Sequence, residues 1–190
     1  MLIVDANFPR VRTVNHRTTT GSQEVEFVIG ESPFGKILVA RSAAGLCAVL
    51  LGDDPVALRG ELTERFPRAS IRGGGEAARA LLRQVRSLTV CPGNPIDAEL
   101  DTGGTDFQRS VWRALTEIPV GETATYTEIA SRIGRPKAVR AVGQACAANR
   151  LALVIPCHRA LRSDGGLSGY RWGVNRKRDL LAFEGAVRAV

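Results

Sequence analysis

The stretch from 91 to 105 constrains this fold more than any other. It reads Cys91-Pro92-Gly93-Asn94-Pro95-Ile96-Asp97-Ala98-Glu99-Leu100-Asp101-Thr102-Gly103-Gly104-Thr105. Its prolines and glycines stop any helix or strand from running through. The half before it reads as strands and two helices, the half after it as mostly helical. With 190 residues there is length for one domain or two small ones. We therefore expect an α+β chain. Residues 23–100 would form a small N-terminal domain, an antiparallel sheet with flanking helices. Residues 101–190 would form a mainly helical C-terminal domain with a helix-turn-helix, winged-helix-like. Residues 1–22 are polar, Thr-rich and aperiodic; they read as a flexible tail holding an inert His16.

In the first half, Glu24 to Ile29 alternates apolar and polar residues, and Lys36 to Arg41 and Leu46 to Leu51 follow as two more strands. Asp53 or Asp54 can cap a helix from Pro55 to Phe66, with proline in its first turn. Arg72-Gly73-Gly74-Gly75 lacks the Lys and Ser/Thr of a phosphate loop and reads as a linker. A second helix, Glu76 to Leu88, carries Ala77, Leu81, Leu82 and Val85 on one face.

In the second half, Thr105 opens a helix to about Ile118. Thr125 or Thr127 starts a short helix, Gly134-Arg135-Pro136 turns the chain, and Lys137 to Asn149 forms another helix. Short helix, glycine turn, second helix is a helix-turn-helix pattern. The second helix is unusual, with small residues (Ala138, Ala141, Gly143, Ala145) around a single long cation in its middle, Arg140. A reader of the major groove carries long polar side chains. A small-residue face permits close approach to the minor groove instead, or simply packs against the helix before it. Arg140 is then a wedge or a phosphate contact.

Charge supports a polyanion partner. From Arg132 to Arg178 there are eleven basic residues and one acid, Asp164. That excess is either a solvated face or a nucleic-acid surface, and with the helix pair beside it we expect nucleic acid. Apolar runs such as Leu46 to Leu51 are too short to cross a bilayer, and no signal peptide is visible, so a cytoplasmic protein without membrane contact is expected. The four cysteines, Cys47, Cys91, Cys146 and Cys157, have no metal-ligand spacing. We expect no metal and no cofactor. Cys47 reads as core, Cys91 as a turn residue and Cys146 as packing.

The chemistry gathers at Pro156-Cys157-His158-Arg159, behind the apolar Leu151 to Ile155. A thiolate is a strong nucleophile, and an imidazole can supply one. Adjacency does not make the two side chains touch, and a buried cysteine beside a satisfied histidine is the plain alternative.

Three motifs in this order resemble the methylated-DNA–protein cysteine methyltransferases, the O6-alkylguanine-DNA alkyltransferases. They are Thr125-Tyr126-Thr127-Glu128-Ile129-Ala130, Asn149 with Pro156-Cys157-His158-Arg159, and Ser168-Gly169-Tyr170-Arg171-Trp172-Gly173. The likeness is strongest to the C-terminal half of the bacterial Ada proteins. It runs from about Phe27 to Glu184 and is weaker before residue 100.

The resemblance implies DNA repair by direct reversal. An alkyl group would pass irreversibly, once per molecule, from O6 of guanine (and from O4 of thymine) to Cys157. His158 would deprotonate Cys157 through a water, and Glu184 would orient His158. Asn149 would brace the loop, and Tyr126 would donate to guanine N3. Arg140 would enter the stack vacated by a nucleotide flipped from the minor-groove side, with Ala138 and Gly143 against the groove. Arg159 would brace the segment, and Tyr170, Arg171 and Trp172 would line the base. The implied partner is double-stranded DNA containing O6-alkylguanine, met by a monomer on the nucleoid.

A non-catalytic lesion-binding protein that recruits other factors is the alternative; such proteins lack the acceptor cysteine, and Cys157 is present. A sequence-specific regulator and a cysteine hydrolase fit less well. Residues 1–22 carry no cysteine, so the phosphotriester repair and regulation of full-length Ada are not implied. Trp172 is bulky, which predicts a pocket that takes methyl better than benzyl. Reaction with free O6-benzylguanine as fast as with methylated duplex would contradict this.

Overall fold

A computed structural model describes residues 24–186, so the expected tail over 1–22, with His16, lies outside the described residues. The chain divides into two compact units between Thr102 and Gly103.

The first unit is built on β1 (Glu24–Ser32), β2 (Gly35–Ser42) and β3 (Gly45–Gly52). These pair antiparallel in sequence order. Helix α1 (Pro55–Arg65) packs on β3 and β2, and α2 (Glu76–Ser87) on β2 and β1. Ile37 to Ala40 and Leu46 to Leu51 are buried without a break, so both faces of these strands are covered. Of the two candidate caps, Asp54 does the work, accepting from the Val56 and Ala57 amides at 3.0 and 3.2 Å.

The expected sheet needs one correction. Ser70–Gly73 is a fourth strand, β4, parallel to β1, giving a mixed sheet of order β3-β2-β1-β4. Ile71 is its one large apolar residue and the strand is mostly exposed, so it has no alternation to read. Main-chain pairing alone makes it a strand. The linker reading applies to Gly74 and Gly75, whose φ values of +100° and +93° turn the chain into α2.

The second unit begins with α3 (Asp106–Thr116), started by a capping box in which Thr105 and Gln108 exchange side chain–amide bonds of 2.9 and 3.2 Å. Thr125 and Glu128 form a second box at the start of α4 (Tyr126–Arg132), so Thr125 rather than Thr127 is the cap. Helix α5 (Val139–Ala147) is shorter than the expected 137–149. Ala138 N–H bonds to Arg135 in a turn before it, and Asn149 spends its side chain on the loop after it. The Trp112 indole N–H donates to the Ala145 carbonyl at 2.8 Å, tying α3 to the last turn of α5.

Two features carried no sequence signal. The first is a parallel ladder between β5 (Ala124–Thr125) and β6 (Ala160–Leu161). The second is α6 (Val174–Phe183), which presents Lys177, Leu180 and Leu181 inward. Among the described residues no helix is long and apolar enough to cross a membrane. Thr105→Ala removes one capping box without touching the pocket described below, and should cost about 1 kcal/mol in urea unfolding.

Candidate active site

The ladder between β5 and β6 brings together segments far apart in sequence. β5 runs straight into Tyr126 at the start of α4, and β6 leaves a single 3-10 turn, Cys157–Arg159. Helix α5 supplies a third wall and the 168–171 segment a fourth. Together they form a pocket of about 450 Å³ whose lining includes Tyr126, Gly143, Cys146, Cys157, Ser168 and Tyr170, with Ala147, Gly169 and Arg171.

Asn149 sets the cysteine. Its Oδ1 accepts from the Leu151 amide at 2.9 Å, and its Nδ2 donates to the Ile155 carbonyl at 2.9 Å and to Cys157 Sγ at 3.1 Å. The loop so closed carries Leu153 at φ +68°, a left-handed conformation that costs a branched side chain roughly 1–2 kcal/mol. A strained residue in the loop that leads to Cys157 is the pattern expected where a loop must take one shape.

Behind Cys157 stands a buried charge cluster. Glu184, at the end of α6, receives His158 Nε2 at 2.9 Å, Arg159 Nε at 2.8 Å and Arg159 Nη2 at 2.9 Å. Arg159 Nη1 reaches the Ile118 carbonyl at 2.6 Å. Burial pushes the Glu184 carboxyl up, but the bonds from His158 and Arg159 outweigh it and hold the group down at about 2. Glu184 is therefore ionised and can only accept. His158 Nε2 must then carry the proton, which leaves Nδ1 with a bare lone pair. Nδ1 is buried and has no hydrogen-bond partner among the described residues. Burial also lowers the His158 pKa, keeping the ring neutral at physiological pH. The cluster thus presents a neutral imidazole as a base.

The thiol is not spontaneously ionised. Burial pushes Cys157 up to about 11, with Asn149 and Lys177 pulling against it. At neutral pH its thiolate fraction is below about one in a thousand, so the nucleophile exists only when a base takes its proton.

The remaining expected residues separate by place. Arg140 is exposed on α5 and makes no side-chain hydrogen bond or ion pair among the described residues. The same is true of Arg132, Arg135 and Lys137 on the same helix pair. Ala138 caps α5 without a side-chain bond, and a Cβ added at Gly143 would meet nothing within 4 Å. Tyr170 packs edge-on against Trp172, ring centroids 5.2 Å apart. Trp172 is 5% exposed and does not line the pocket. The methyl-over-benzyl expectation therefore cannot rest on Trp172 as pocket wall. Cys146 and Ser168 line the pocket, yet Cys146 read only as packing and Ser168 stood unassigned in its motif. Lys177, which donates to Ser168 from outside the lining, was hidden in the basic run from 176 to 178.

Fold and site define a helix-turn-helix protein whose buried Cys157 is followed by a carboxylate-fixed histidine. A family model for the DNA-binding domain of 6-O-methylguanine DNA methyltransferase matches residues 106–186. The bifunctional transcriptional activator/DNA repair enzyme Ada of Escherichia coli is 48% identical over 160 residues, 84% of this chain and 45% of Ada. The chain thus spans less than half the length of that relative. The methylated-DNA–protein-cysteine methyltransferase of Methanosarcina acetivorans is 41% identical over 84% of this chain and 98% of its own length. The crystal structure of Mycobacterium tuberculosis OGT in complex with DNA matches with a TM-score of 0.71 at 36% identity, covering 87% of this chain and 94% of that one. The chain belongs to the methylated-DNA–protein-cysteine methyltransferase family.

Two measurements check the electrostatics. Glu184 has a depressed pKa in the folded state, so its stabilisation is complete above the unfolded value near 4.5 and is lost as pH falls toward 2. Glu184→Gln strands the buried Arg159 cation and should cost about 3–5 kcal/mol at pH 7. In urea titrations that gap should narrow steadily below pH 4.5. Separately, iodoacetamide at pH 7.5 should label the exposed Cys91 at least roughly a hundredfold faster than Cys157.

Proposed function

We propose that the protein repairs alkylated double-stranded DNA directly, accepting the alkyl group of O6-alkylguanine on Cys157 and acting once. One observation carries this reading. Cys157 lies in a pocket large enough for a base, Asn149 is on its sulfur, and the His158–Glu184 pair keeps a free lone pair beside it.

The unpaired cations of α4, the turn and α5 meet the DNA backbone, and the small-residue face of α5, from Ala138 past Gly143, enters the minor groove. The target atom lies inside the duplex, so the nucleotide must leave the stack at a cost of a few kcal/mol. Arg140, exposed on that same helix, fills the gap. The flipped guanine enters beneath Tyr170 and Arg171. His158 Nδ1 then takes the thiol proton through one water. As the Sγ–C bond forms, the C–O6 bond breaks and its electron pair passes into the purine. Tyr126 donates a hydrogen bond to the ring nitrogen that gains charge, and guanine regains one proton from the solvent-linked relay. The thioether has no route back to thiol, so each molecule reacts once. O4-alkylthymine is a second substrate of the same pocket. A cytoplasmic monomer suffices for this chemistry.

Mixing protein with a stoichiometric O6-methylguanine duplex should add one CH2 to the Cys157 peptide and stop there, as read by peptide mass. Cys157→Ser should bind the lesion and gain nothing. Lesion binding by the wild type without any adduct would favour the recruiting role instead. Arg140→Ala should slow transfer roughly tenfold on duplex DNA, with little effect on a free alkylated base, because only the duplex needs its stack refilled.

A further inference from the structure

Lys177 on α6 is fully buried, with no exposed surface. An amine at that depth is costly unless its protons are used. Nζ donates to the Ala160 carbonyl at 2.6 Å and to Ser168 Oγ at 3.3 Å. Ser168 Oγ in turn shares a short hydrogen bond with the Tyr126 hydroxyl. Among the described residues, Ser168 Oγ has no further partner, and the Tyr126 hydroxyl has Ser168 alone.

That accounting fixes a direction. An ammonium has three donors and no acceptor, so toward Lys177 the serine oxygen can only accept. The single Ser168 proton then has one acceptor in reach, the Tyr126 oxygen. Tyr126's own proton is left to point away from Ser168, into the pocket that both residues line. Were Lys177 an uncharged side chain, nothing would orient the serine. Tyr126 could then donate to Ser168 and offer only lone pairs to a base.

We propose that Lys177, acting through Ser168, aims the Tyr126 hydroxyl proton at the bound base, making Lys177 and Ser168 positioning residues of the transfer step. This deepens the alkyl-transfer reading and rests on it. The bonds made and broken are those already given. Tyr126 supplies a hydrogen bond to the purine nitrogen that receives the electron pair, and no proton leaves Lys177. Each link polarises the next, so the donor Tyr126 offers is stronger than an isolated phenol's. Burial raises the Tyr126 pKa, which keeps that proton in place at working pH.

Ser168→Ala is the informative variant, because Lys177 keeps its bond to Ala160 and the fold loses no buried charge partner. Single-turnover transfer at saturating O6-methylguanine duplex is measured beside lesion affinity for the wild type, Ser168→Ala, Ser168→Thr, Tyr126→Phe and the Ser168→Ala/Tyr126→Phe double variant. The expected result for Ser168→Ala is a roughly tenfold slower rate at unchanged Kd, as for a weakened donor to developing charge. Thr should restore the rate. In the Tyr126→Phe background, Ser168→Ala should slow nothing further, because the two act as one unit. A wild-type rate for Ser168→Ala, a change confined to Kd, or an equal slowing with and without the Tyr126 hydroxyl would each overturn the proposal. A wild-type protein that gains no alkyl group would instead sink the alkyl-transfer reading itself, before any variant is compared.

Discussion

Glu184 is the interaction on which the C-terminal unit depends. One carboxylate at the end of α6 holds both a neutral imidazole and a guanidinium that belong to adjacent residues of the 3-10 turn. The guanidinium cancels the charge that burial would otherwise expel, and this lets the carboxylate stay ionised. An ionised carboxylate then dictates the histidine tautomer, and the tautomer leaves the other ring nitrogen basic. The same bonds dock α6 against the segment bearing the thiol, which carries Lys177 in beside Ser168. Architecture and acid–base chemistry rest on the same few hydrogen bonds here.

A second theme is the opposition between burial and reactivity. Burial raises the Cys157 thiol well above neutrality, and Asn149 offsets only part of that. A sulfur poised this way resists casual electrophiles in solution. In the proposed reaction it becomes a nucleophile only where a base, a bound purine and a donor are assembled at once. On that reading, selectivity for the alkyl donor follows in part from the resting state of the thiol and does not need shape alone.

Much of this was legible in the chain, for identifiable reasons. Strands β1 to β3 and helices α1 to α3 announce themselves through periodicity, caps and the break over 91–105. Cys157, His158 and Asn149 stand close together in one short stretch, and the resemblance extended the candidate set to Tyr126 and Glu184, which the structure places on the pocket wall and on His158. What could not be read were features made by tertiary context. β4 is a polar edge strand whose identity is entirely main-chain pairing. Lys177 sits in a run of basic residues indistinguishable from a solvated surface until α6 turns it inward. Trp172 looked like pocket wall because its neighbours are, yet it is buried with its ring edge-on to Tyr170 and outside the pocket lining. Cys146 has no signal of its own, since only the angle of α5 brings it to the cavity.

The ladder joining β5 to β6 has a kinetic consequence. It is two residues long on each side, yet the residues it pairs, Ala124 with Ala160 and Thr125 with Leu161, are separated by two helices and a loop. Closing so long a loop for so few bonds is entropically expensive, and contacts of that kind form late in folding. The cavity between Tyr126 and Cys157 is therefore a property of the completed fold. A nascent or partly opened chain holds the same thiol without its base, its donor or its brace, and without the burial that keeps it protonated, so it is open to general electrophiles until the last contacts close.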